Sequence, residues 1–187
     1  MVTWLESIKT EVDGGLSIQW KTFSLEQQNS QEGADFRIWE QQDYPSRGVP
    51  ALVASKAALN QGDSSFLKFH LATFEAMHDE GEDIADGKVL MDIAKNAGLD
   101  LGQFDQDMNR DETWQAVGKD HTESKRKYNV FGVPTLIFGQ GQAVYVKLKS
   151  IPESREERNS LFQLIYDMGA ERPYLLELKR PDPSQIL

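Results

Sequence analysis

The residues able to do chemistry are few, and their spacing says what they can and cannot do. The 187 residues contain no cysteine, which removes disulfides, thiolate metal sites and thiol nucleophiles from this chain. The histidines are His70, His78 and His121. His70 and His78 are too far apart on one predicted helix for the i,i+4 pair of a zinc site. His121 falls on an apolar stripe with Trp114 and Val117, where a packed or capping histidine is expected. The turn DEGEDIAD, 79–86, holds five carboxylates. It lacks the ligand alternation and final Glu of a calcium loop, so a solvated turn is expected, with Asp86 capping the next helix. No catalytic residue, metal ligand or cofactor is assigned.

The remaining candidate is a loop rather than a titratable group. Gly132-Val133-Pro134-Thr135 opens an apolar run, Leu136-Ile137-Phe138, that reads as a strand. A proline lacks an N–H, so it sits at a strand start or on an edge. What such a loop offers is backbone and shape, not acid–base chemistry.

These residues must be positioned by the elements around them. Val2, Leu5, Ile8 and Val12 predict a helix by their spacing, stopped at Asp13-Gly14-Gly15. Leu16 to Lys21 alternates apolar and polar, which predicts a strand. Residues 26 to 48 look irregular, anchored by Phe36 and Trp39. Pro50 to Tyr128 is helical in pattern: a first helix with Leu52, Val53, Lys56 and Leu59, then a stripe of Phe66, Leu67, Leu71, Phe74 and Met77. Val89 to Ala97 follows, ended by Gly98, then Leu101 to Met108, then Trp114 to Tyr128. Phe66, Phe69, Phe74 and Trp114 are expected in the core of this block. The runs TLIF and AVYVKL around GQGQ predict a hairpin. A final helix over PESREERNSLFQLIYDMG is expected to turn Leu161, Leu164, Ile165 and Met168 inward. The proline-rich end is expected at the surface.

Three stretches together resemble the DsbA-like thioredoxin-fold family, which includes FrnE-type oxidoreductases and is related to 2-hydroxychromene-2-carboxylate isomerases and kappa-class glutathione transferases. They are WLESIKTEVDGGLSIQWKTFSLEQQN, FEAMHDEGEDIADGKVLMDIAKNAGLD and VFGVPTLIF. The resemblance implies an α/β fold: a thioredoxin-like domain (1–49 and 129–170) with an all-helical insertion (50–128), followed by a tail (171–187). It implies a cis Val133–Pro134 bond, with Gly132, Val133, Pro134 and Thr135 binding an extended peptide or thiol substrate. It further implies that one or two of the block's aromatic residues line a substrate pocket. The family's first strand and its Cys-x-x-Cys segment, or a Ser variant, have no counterpart in this chain and would stand just before Met1. Three explanations remain open: such a segment encoded upstream, a replacement strand from the tail or another subunit, or divergence into a non-redox protein.

The implied activity is that of a thiol–disulfide oxidoreductase homologue, with no redox turnover expected from these residues. The alternatives are a glutathione-dependent isomerase or transferase, with glutathione as its ligand, and a non-catalytic binding protein, with a homodimer conceivable. The net charge of −10 disfavours nucleic acid and anionic lipid as partners. The apolar runs fall short of a membrane span, and the first residues lack the pattern of a secretory leader. A cytoplasmic location is expected.

Overall fold

The computed structural model describes residues 1–9, 15–139 and 141–180. They form two compact units, one comprising Met1, Thr3–Leu16 and Pro134 onward, the other Val2 and Ser17–Val133.

The larger unit is helical. It contains α2 (Leu25–Asn29), a 3-10 turn (Ile38–Glu40), α3 (Val49–Leu59), α4 (Asp63–Glu75), a π-helical turn (Ala76–Glu80), α5 (Gly87–Asn96), α6 (Leu101–Met108) and α7 (Asp111–Tyr128). α3 is the centre. Ala51, Val53, Ala54, Ala57 and Ala58 are all buried, so α3 is apolar on nearly every side, as a core helix must be. Its alanines let α4, α6 and α7 approach closely. The one-sided stripe expected from Leu52 and Leu59 is therefore corrected: both are only half-buried. Pro50 lies in the first turn, where its missing N–H costs nothing.

α4 differs from expectation in rotation. Its buried positions are Phe66, Phe69 and Thr73, with Ala76 continuing the same face. Phe69 packs on Phe104 of α6 at 5.3 Å. Phe74 and Met77, expected inward, are 45% and 47% exposed. The reason is the neighbouring row: Phe66, His70, Phe74 and His78 touch ring to ring at i,i+4 spacing, stacked at Phe66–His70 and Phe74–His78 and edge-to-face at His70–Phe74, so Phe74 covers other rings rather than the core. The acidic turn bends at Gly81, φ +73°, and Asp86 accepts from the Lys88 N–H at 2.8 Å, the expected cap.

In the smaller unit, α1 (Val2–Ile8) buries Trp4, Leu5 and Ile8. Trp4 Nε1 donates to the Arg158 carbonyl at 3.2 Å, and its ring lies 6.3 Å from Phe162 on α8 (Arg155–Glu171). Val12, Asp13 and Gly14 lie outside the described residues. β1 (Thr135–Ile137) and β2 (Ala143–Tyr145) form the expected antiparallel hairpin, with Leu136 opposite Val144. α8 starts on a serine cap: the Ser154 hydroxyl accepts from the Glu157 N–H at 3.1 Å and donates to the Glu157 carboxylate at 3.1 Å. It buries Phe162, Ile165, Gly169 and Ala170. Leu164, expected inward, is 55% exposed, because the buried stripe runs through Phe162 instead. Gly169 has no Cβ where one would meet the Phe138 ring at 2.7 Å, so α8 can seat on the hairpin. The Gln142 side-chain amide lies against the Gly169 carbonyl, near the end of α8.

The predicted strand Leu16–Lys21 is not a strand. Its burial alternates, but no ladder forms on it among the described residues. Where it ends, backbone donors go to side chains: the Thr22 N–H to the Asp120 carboxylate at 3.0 Å and the Ser24 N–H to His121 Nδ1 at 3.3 Å.

Candidate functional site

Among the described residues, a buried polar cluster and the predicted loop are the candidate sites. The first sits on α7. Asp120 and His121 are 4% and 5% exposed. Asp120 accepts from the Thr22 N–H and hydroxyl, and pairs with Lys21 at 3.1 Å and with Lys56 of α3. Burial, the largest single influence on the Asp120 carboxyl, pushes its pKa up. The Lys56 hydrogen bond and charge, the Thr22 N–H and Lys21 together outweigh it and hold the group below its ordinary value. The His121 ring stacks on Phe23 at 4.5 Å and tilts against Trp39 at 5.3 Å. Burial, then the charges of Lys125 and Arg37, push its pKa down to about 4. It is a neutral, packed histidine that accepts one backbone N–H, as its place on the apolar stripe implied. His70, among Trp20, Phe66 and Phe74, is likewise pushed down to about 4 by burial.

All acceptor sites of this cluster face protein donors, so its work is to hold residues 21–24 against α7. Its members come from far apart in sequence. Asp120 could have been suspected from its place beside His121 on a helix face that buries Val117 and Ser124; nothing local pairs it with Lys56 or Thr22. Among the described residues, no group of three or more His, Asp or Glu is placed to hold a metal ion.

The second constellation is the predicted loop. α7 ends with Asn129 in the left-handed region at φ +52°. The Asn129 N–H reaches back to the Lys125 carbonyl at 3.1 Å, an αL-type stop, and the next N–H, of buried Val130, goes to the Ser124 carbonyl at 3.1 Å. Phe131 follows at 63% exposure and Val133 at 41%. Gly132 is buried, and Pro134 and Thr135 are half-buried. The Pro134 carbonyl accepts from the Val146 N–H at 3.1 Å, and Phe138 donates to the Gln142 carbonyl at 2.9 Å. Together with the Leu136–Val144 register, these bonds put residues 134, 136 and 138 in hydrogen-bonded pairs with β2. By alternation, the backbone groups of Thr135 and Ile137 point away from β2. Val133 has no hydrogen-bond partner among the described residues.

The four predicted residues are consecutive in the chain: Gly132 and Val133 follow the α7 cap in the larger unit, and Pro134 and Thr135 open the ladder in the smaller one. From Phe131 to Phe138 the only side-chain oxygen or nitrogen is the Thr135 hydroxyl. The segment can bind backbone and apolar surface. It holds no general base or strong nucleophile.

Comparison with known proteins adds two findings. The family model described as DSBA-like thioredoxin domain matches residues 4–152, from α1 through the hairpin. A stretch of 105 residues is 32% identical to the ClpXP adapter protein SpxH of Bacillus subtilis (strain 168), covering 56% of this chain and 35% of that protein. The match therefore spans about a third of that relative's length.

Proposed function

Because the chain belongs to the DSBA-like thioredoxin domain family, we propose that its 187 residues supply protein recognition on a thiol–disulfide oxidoreductase-type fold, without thiol exchange of their own. The observation that carries this reading is Val133: exposed, without a backbone hydrogen-bond partner among the described residues, just before β1, in a chain with no cysteine. An extended polypeptide laid beside Val133 gains main-chain hydrogen bonds as in strand addition, with Phe131 giving apolar contact. The similarity to an adapter protein supports a role in binding another protein rather than transforming a small molecule.

The test is a pair of assays on the same preparation. An unfolded polypeptide, reduced and alkylated so that it carries no free thiol, is titrated with the chain by fluorescence anisotropy. Disulfide reduction is measured in parallel. Saturable binding without reduction fits the proposal. Reduction of a disulfide by the cysteine-free chain, or glutathione binding with no polypeptide binding, contradicts it.

A further inference from the structure

A second surface lies on α8. Glu156, Glu157, Ser160, Leu161 and Leu164 line a shallow groove there, and Leu164 is 55% exposed. The chain after α8, from Pro173 to Arg180, is neither helix nor strand. Within it Tyr174, Leu176 and Leu178 are 78%, 93% and 76% exposed. Three large apolar side chains at alternate positions share one face when the segment is extended. Arg180 falls on that same face, and Pro181 after it biases Arg180 toward extended backbone.

We propose that the segment Leu176–Arg180 of one copy of this chain docks in the α8 groove of a second copy, reciprocally. Length and chemistry agree along its course. From Leu164 to Glu156 the helix advances about 12 Å, and from Leu176 to Arg180 an extended segment covers about 13 Å. Running antiparallel to α8, Leu176 lies over Leu164, Leu178 over Leu161, and Arg180 over Glu156 and Glu157. The basic end of the segment thus meets the acidic end of the groove, in a chain whose net charge of −10 otherwise opposes self-association. Lys179 and Glu177 face solvent. Among the described residues, Leu164 of the groove and Leu176 and Leu178 of the segment stay exposed within one chain. Reciprocal exchange is a two-fold, isologous contact, and the second docking is favoured by the first.

Sedimentation equilibrium over a range of chain concentrations tests this. A dimer is expected, with the dissociation constant raised at least about tenfold by Leu178→Glu or by Leu164→Glu, and raised also by salt. A mixture of the two variants is expected to associate better than either alone, since one intact groove then meets one intact segment. If Leu164→Glu loses its circular dichroism signal, Leu178→Glu still decides, because it lies outside every helix and strand. A monomer at every concentration overturns the proposal. So does a dimer that ignores both substitutions.

Discussion

The Thr22 backbone N–H donates to the Asp120 carboxylate at 3.0 Å, and the Lys56 ammonium binds the same oxygen. One buried carboxylate thereby ties an extended segment and α3 to α7. Residues 17–24 take their place through side chains of α7, where a sheet would have supplied ladder partners.

Removing that carboxylate leaves the Lys56 charge and a backbone donor buried without a partner. Asp120→Ala is expected to cost on the order of 3–5 kcal/mol, the range for breaking one side of a buried ion pair. Lys56→Met is expected to cost less, since Lys21 and Thr22 still serve Asp120. Urea unfolding of the two variants gives the comparison. Equal loss would mean that the pair is not organised around Asp120.

Acid is expected to weaken the fold between pH 6.5 and 4. His70 and His121 titrate near 4 in the folded chain, against 6.5 when unfolded. In that window the unfolded chain binds more protons, so stability rises with pH and falls on acidification. The lowered Asp120 carboxyl acts with the same sign at lower pH. Denaturant midpoints at pH 7 and pH 4.5 measure the slope. His70→Phe is expected to flatten it.

Two glycines mark close helix contacts. A Cβ at Gly118 would run into the Trp39 indole, and one at Gly169 into the Phe138 ring and Val144. Gly→Ala gains up to about 1 kcal/mol of helix propensity, whereas overpacking costs about 1–3 kcal/mol. Both variants are expected to lose stability in thermal melts, Gly118→Ala the more, because Trp39 is 5% exposed and hemmed in. Stabilisation at either position would mean the neighbouring ring moves freely.

What the sequence disclosed, and what it did not, follows from the range of the forces involved. The hairpin, the helical block and the Asp86 cap are local: turn residues, apolar period and a side chain near its own backbone determine them. The sequence period places Phe74 and Leu164 inward because a 3.6-residue repeat fixes the existence of a stripe better than its rotation, and the neighbour that selects the face is remote in sequence. The Leu16–Lys21 alternation is present as alternating burial, yet a strand also needs a partner, and its end binds Asp120 and His121 instead. The loop Gly132–Thr135 was legible because glycine, proline and the following apolar run act within a few residues. The Asp120–Lys56–Thr22 cluster was not, because three distant segments build it.

The central claim is that Val133 offers its backbone to an extended protein partner. Val133→Pro removes one donor N–H at that position and leaves the apolar surface of Phe131 in place. Anisotropy titration of the reduced and alkylated polypeptide, with near-ultraviolet circular dichroism to verify the fold, compares this variant with the parent chain. The account predicts saturable binding by the parent and affinity reduced roughly fivefold or more in the variant. Unchanged binding by a correctly folded Val133→Pro chain, or no binding by the parent, would contradict it.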